Sequence, residues 1–218
     1  MKGFLVLIVV VLFACNNEVQ YSADATEILS DSGFTNRAAA KNLMVNGLKQ
    51  GKWVEYYNYS PYGLKPTTDT GAPVYYLTIY NSGKQWGMVR GYKKNGTIIC
   101  ESPYSNGKLN GISKHFLDNG KIGMEGNYIN DTAVGLHRFY YNSGKLKSEI
   151  TFVNGTPNGI SKSYYESGAL QCEAVEKNGK WESCKMYYEN GKLKLETIDR
   201  NDSEISRKNC DSTGHEIK

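Results

Sequence analysis

The sequence predicts an all-β fold: an elongated, single twisted antiparallel sheet of stacked β-hairpins, with about 24 residues per repeat. The first observation behind this is periodic glycine. Gly87, Gly111, Gly135 and Gly159 keep a 24-residue spacing, as do Gly96, Gly120, Gly144 and Gly168, with Gly191 one residue short. A fixed period in this range marks a repeat architecture. The second is that each period holds two β-compatible runs around an Asn-Gly or Ser-Gly pair, a strong hairpin signal. The third is charge placed in register.

In Ile112 to Tyr128, taking Asn119-Gly120 as the turn centre sets Lys114 opposite Glu125. The same arithmetic sets Arg90 opposite Glu101, Arg138 opposite Glu149, Lys162 opposite Glu173 and Lys185 opposite Glu196. Directly opposed unlike charges favour one register, so these ten residues are expected to form a structural ion-pair ladder. Alternation along the strand then puts Tyr92, Phe116, Tyr140, Tyr164 and Tyr187 on the ladder face, as a candidate binding face. It puts Leu117, Tyr141, Tyr165 and Tyr188, with Ile98, Ile122, Leu146, Leu170 and Leu193, on the other. Such small units must stack to bury either face.

From its start, the chain has an uncharged apolar run, Gly3 to Ala14, behind Met1-Lys2. The run is too short to span a bilayer and fits a signal-peptide core over residues 1–14. Leu12-Phe13-Ala14-Cys15 resembles the lipobox of bacterial lipoproteins, which implies lipid attachment at Cys15 and an envelope address. The absence of aspartate from Asn16-Asn17 points by that family's sorting rule to the outer membrane. Membrane contact is expected through this anchor only. Without Met1 to Ala14 the net charge falls from +4 to +3, which offers no argument for nucleic acid. Residues 15–42 read as the lipidated cysteine and a flexible tether, with a weak strand-and-turn pattern at Glu27 to Gly33.

The repeat domain is expected over 43–198. It opens at Asn46-Gly47, and Gly51 to Tyr57 superposes on Gly159 to Tyr165. Gly51 to Gly87 is 36 residues, one period plus twelve, with the excess around Pro61 to Pro73. Pro and Gly there predict an insertion loop at about 61–73, either the bearer of individual function or tolerated drift.

Gly-x-Trp-x-x-Tyr-Tyr, followed in later units by Asn-Gly-Lys-Leu-Lys as in Tyr187 to Lys194, resembles the MORN-repeat variant proteins, including those labelled YwqK-family antitoxins. The resemblance implies stacked hairpins used to bind other proteins or surfaces. Val54 departs from it at the basic position of the first unit, as does the loop before Pro73. Residues 199–218 read as a degenerate C-terminal capping hairpin, since terminal units of a solenoid are atypical.

Cys100 and Cys172 share a repeat position three units apart, too far to bond. Cys172 and Cys184 flank the Lys177-Asn178-Gly179 turn and are expected to be cross-strand neighbours, either a disulfide or two thiols. His115, His137 and His215 form no repeated ligand or triad pattern, and no metal site, cofactor or enzyme activity is expected. The expected function is a non-catalytic envelope lipoprotein whose repeats are a protein-protein binding scaffold, with an antitoxin- or immunity-like role as a special case. The alternative is a glycan or cell-wall binder using exposed tyrosines with Trp53, Trp86 and Trp181.

Overall fold

The structure, a computed structural model, describes residues 33–61, 63–200 and 203–217. The signal-peptide and lipidation expectations for residues 1–15, and the strand pattern upstream of Gly33, lie outside the described residues. The described chain is a 3-10 turn at Arg37–Ala39 followed by eighteen strands in one antiparallel sheet. They are β1 (Leu43–Val45), β2 (Leu48–Ser60), β3 (Gly63–Thr67), β4 (Val74–Asn81), β5 (Lys84–Lys93), β6 (Ile98–Ser105), β7 (Lys108–Leu109), β8 (Gly111–Phe116) and β9 (Ile122–Ile129). After them come β10 (Thr132–Tyr140), β11 (Leu146–Val153), β12 (Thr156–Pro157), β13 (Gly159–Tyr164), β14 (Leu170–Lys177), β15 (Lys180–Tyr187), β16 (Leu193–Arg200), β17 (Ser203–Cys210) and β18 (Glu216–Ile217). From β4 onward each strand pairs with its chain neighbours, the short β7 and β12 continuing into β8 and β13.

Two kinds of turn alternate between the two long rims. One rim carries two-residue turns in which both residues have positive φ, as at Asn154 (50°) and Gly155 (79°). Asn tolerates this region and Gly occupies it freely, hence the Asn-Gly signal. The hairpins of the ladder turn otherwise. Between Leu117 and Lys121 only Gly120 has positive φ, and Gly120 N–H donates to the Leu117 carbonyl at 2.8 Å, giving a three-residue loop. The expectation of a two-residue turn centred on Asn119-Gly120 is therefore corrected. The register survives because a bulge on the next strand takes up the extra residue. Phe116 pairs with Ile122, but His115 pairs with Met124, so Gly123 is skipped.

That bulge overturns one facing assignment. A directly opposed pair shares a face, so Ile122 lies with Phe116, and Leu146, Leu170 and Leu193 lie with Tyr140, Tyr164 and Tyr187. The aliphatic column belongs to the ladder face.

A second set of bulges sets the repeat length. In β9–β10, Val134 pairs with Asn127 and Arg138 with Glu125, so the glycine-containing strand carries two extra residues. In β14–β15 the step is Val175 with Ser183 to Glu176 with Trp181, one extra residue. Loss of one bulge residue accounts for the 23-residue step from Gly168 to Gly191.

The N-terminal end differs from the expectation in two ways. Residues 61–73 do not form a plain insertion loop. β3 extends a hairpin with β2, pairing Tyr57 with Pro66 and Tyr59 with Leu64. Among the described residues β3 pairs only with β2, and an edge strand tolerates proline. The tether expected over 15–42 is also corrected for its described part. Phe34 is buried against Leu77 and Ile79, with Val54, Tyr75 and Tyr92 around them. Lys41 and Asn42 N–H both donate to the Lys52 carbonyl, and Asn42 Oδ1 accepts from Val54 N–H at 2.8 Å. Residues 33–42 thus form a strap across the ladder face of β2, β4 and β5. Gly33 presses so close that a Cβ there would lie 2.3 Å from the Met88 carbonyl oxygen.

Candidate functional site

The ladder face is built from three parallel stripes. Its central stripe is ionic: Arg90 Nε meets Glu101 at 2.8 Å, Arg138 Nε meets Glu149 at 3.0 Å, Lys162 meets Glu173 at 3.1 Å and Lys185 meets Glu196 at 3.2 Å. All five pairs are in register. Lys114, however, closes no ion pair among the described residues. Glu125, opposite it, lies 3.9 Å from Arg138 Nη1 and accepts from Tyr140 O–H at 2.8 Å. Hydrogen bonds to their carboxylates hold the Lys162 and Lys185 ammonium groups above the ordinary lysine range. These pairs are well exposed, so they fix register more than they stabilise.

Beside the ions runs the aromatic stripe, Tyr92, Phe116, Tyr140, Tyr164 and Tyr187, each half-buried and each opposed by Ile98, Ile122, Leu146, Leu170 or Leu193. Tyr164 O–H donates to Glu149 at 3.3 Å, so two of the tyrosines are tied to ladder carboxylates one strand back. On the other side of the ions stands a stripe that the sequence reading did not single out: Ile112, Leu136 and Ile160, with Val175 and Ile198, all exposed. The available signal was alternation itself, because Ile112, Lys114 and Phe116 must share a face.

At the N-terminal end the same three stripes are covered. Val54 and Leu77 occupy the ionic positions and Leu77 is fully buried under the strap. Tyr75 stacks on Tyr92 at 5.2 Å and carries Arg37 over its ring at 5.0 Å.

The reverse face is spent on holding units together. Tyr141 O–H donates to the Tyr164 carbonyl at 2.6 Å, Tyr165 to Tyr187 at 2.8 Å and Tyr188 to Cys210 at 3.0 Å, each bond reaching the next unit. Its midline is lined by small or buried groups. Ser102 and Ser113 share a hydrogen bond at 2.7 Å, and Gly126 leaves room for His137, which packs between Tyr128 and Phe152. His137 Nε2 contacts the Asn127 carbonyl at 3.0 Å. Tyr76, packed edge-on to Tyr57 at 5.3 Å, is pushed up to about 12 by burial and by neighbouring Cys100, Tyr57, Tyr104 and Tyr59.

Cys172 and Cys184 are adjacent free thiols with sulfurs 3.3 Å apart, on a diagonal, since Ala174 is directly opposite Cys184 and Met186 opposite Cys172. The tryptophans are dispersed. Trp53 donates Nε1–H to Leu43 and Gln50 carbonyls at 3.1 Å, Trp86 Nε1 is buried, and only Trp181 is exposed. No group of three His, Cys, Asp or Glu stands at metal-binding distance among the described residues.

No curated protein matches the chain. Among solved structures it is similar to a mutant of S. aureus TarM in complex with fondaparinux, alpha-GlcNAc-glycerol and UDP, at 20% identity and TM-score 0.33 over 49% of this chain and 20% of that one. A second TarM structure is similar at 12% identity and TM-score 0.28, over 60% of this chain and 21% of that one. The chain therefore spans about a fifth of the TarM chains' length, and likeness at these scores carries no argument. The MORN repeat variant matches residues 109–130, 133–154, 157–175 and 183–198. Those four segments fall on the hairpins from β7 to β16, and the gap at 176–182 coincides with the shortened bulge of β15: over these segments the chain is similar to the MORN repeat variant, four repeats of which it matches.

Proposed function

We propose that the protein is a non-catalytic protein-binding scaffold carried on a cell-envelope lipoprotein, anchored by lipid at Cys15, and that its working surface is the ladder face beyond the strap. One observation carries this reading. The strap covers the stripes over β2, β4 and β5, whereas from β8 onward the Ile112, Leu136 and Ile160 column is exposed beside half-buried aromatics and charges that, Lys114 apart, are paired with each other. An apolar strip bordered by satisfied charges suits a protein surface, because docking there desolvates few unpaired ions. Neutralising a toxic protein is one form of such binding.

The glycan reading has less support, since Trp53 donates its indole N–H within the sheet, Trp86 on β5 is partly buried and the exposed Trp181 stands far along the sheet on β15. The test places a photo-crosslinking residue in cells at Ile160 and, separately, at His115 on the reverse face. A discrete protein adduct from Ile160 alone is the expected result. Adducts from neither position, with retention of the purified protein on cell-wall material, would transfer the assignment to glycan binding. The anchor is tested separately: Cys15→Ala should abolish fatty-acid labelling and release the protein from membranes, and unchanged labelling refutes it.

A further inference from the structure

We propose that Cys172 and Cys184 are a thiol-oxidation site, closing an intramolecular disulfide that staples β14 to β15. Their sulfurs are 3.3 Å apart and in mutual hydrogen-bond contact. A disulfide needs about 2.05 Å, so closure requires the sulfurs to approach by roughly 1.2 Å. Ala174, directly opposite Cys184, leaves the space beside them free of a bulky side chain. The other described cysteines stand apart: Cys100 is on β6, and Cys210 on β17 faces the ladder side with Lys208.

The location supplies a second, independent observation. The same diagonal in the three preceding junctions holds Cys100 with Ser113, Met124 with His137, and Ser148 with Ser161. Two thiols coincide only at β14–β15, the first junction whose bulge carries one extra residue instead of two, as β16–β17 also does, and the place where the family match is interrupted over 176–182. The hairpin end beyond them, Lys177 to Glu182, is largely exposed, and the Lys177 to Glu182 ion pair at 3.5 Å crosses it. A covalent cross-link there secures the first strand pair that departs from the regular register.

The oxidant class is a low-molecular-weight disulfide. Cys172, half-buried, is the accessible partner, whereas Cys184 is buried. The Cys172 thiolate attacks the reagent, forming a mixed disulfide and expelling one thiolate. The Cys184 thiol loses its proton to solvent and attacks the Cys172 sulfur, expelling the second. Two protein thiols are thereby oxidised to one disulfide and the reagent is reduced to two thiols. Burial, then the Cys184 hydrogen bond, hold the Cys172 thiol up at about 12. The first step is accordingly slow and should accelerate about tenfold per pH unit between pH 7 and 9.

The experiment equilibrates the intact protein with glutathione disulfide, blocks remaining thiols by alkylation and digests with trypsin. Cleavage after Lys177, Lys180 and Lys185 separates the cysteines, so linkage appears as peptide 163–177 joined to peptide 181–185. The expected result is that linked pair, in equal yield in a C100S/C210S variant, with Cys184→Ser stopping at a glutathione adduct on Cys172. Alkylatable thiols at both positions after equilibration, or a stable Cys172 adduct in the native sequence, overturns the proposal. So does a bond from Cys172 to any other cysteine.

Discussion

The two ends of the ladder face solve one problem differently. Over β2 and β4 the face is apolar and roofed: Val54 and Leu77 stand where later units carry charge, and Phe34 closes over them. From β8 to β16 the face is open and ionic, with each cation set against a carboxylate in register. Antiparallel pairing runs through both. The lesson is that the ladder face of a single-layer sheet has no obligatory interior, and it acquires one only where another part of the chain covers it.

Substitutions that exchange the two solutions test this comparison. Leu77→Glu places the ladder carboxylate beneath the strap, opposite Arg90, and should cost roughly 3 kcal/mol in urea unfolding, because desolvating the buried charge outweighs its attraction to a guanidinium already bonded to Glu101. Adding Val54→Lys should not restore stability while Phe34 remains. Full restoration would show that the strap does not dictate the apolar choice. Phe34→Ala should cost about 3 kcal/mol, with lost amide protection confined to β2, β4 and β5. Equal loss in β13 to β16 would refute the independence of the two ends, since repeat units couple mainly to neighbours.

A smaller effect is expected on the reverse face. Gly126→Ser should cost about 1 to 3 kcal/mol by overpacking, because a Cβ there would lie 2.1 Å from His137 Nδ1. Combining it with His137→Ser recreates the Ser102–Ser113 arrangement and should recover part of the loss. Additive losses in the double variant would remove the steric account. The mildest expectation concerns alkaline pH. Tyr80, by burial and its Glu55 partner, and Tyr76, by burial, have phenols raised above their ordinary value. Their contribution is complete below the unfolded value of about 10 and is lost as pH rises through the folded values. Stability should decline above that point with β4 losing protection first, and Tyr76→Phe should blunt the decline. A uniform decline along the sheet would contradict it.

Much of this architecture was legible because period and charge repeat together. Arg138 and Glu149 are named as partners by arithmetic alone, and the structure sets them 3.0 Å apart. The arithmetic assumed the wrong turn and succeeded because Gly123 and its equivalents absorb the extra loop residue. The same compensation hid the true face of Ile122, since parity counted through a bulge inverts. The strap was illegible for another reason. Its residues are mostly polar or small, and one aromatic, Phe34, carries its packing without any periodic signal. β3 was hidden by Pro66, which argues against an interior strand but not against an edge. At the candidate site the aromatic column was visible as a repeat, whereas the exposure of Ile112, Leu136 and Ile160 depends on where the strap stops.

The bonds from Tyr141 and Tyr165 each end on a carbonyl one unit further along, and the loop rim repeats the habit through Lys121 to Ser143 and Lys145 to Glu166. These units therefore offer their successors the same kinds of fitting that they receive from their predecessors. A gene that gained or lost one whole unit would encode a longer or shorter ruler, graduated in steps of about 9.6 Å, without a second layer to be resized in compensation.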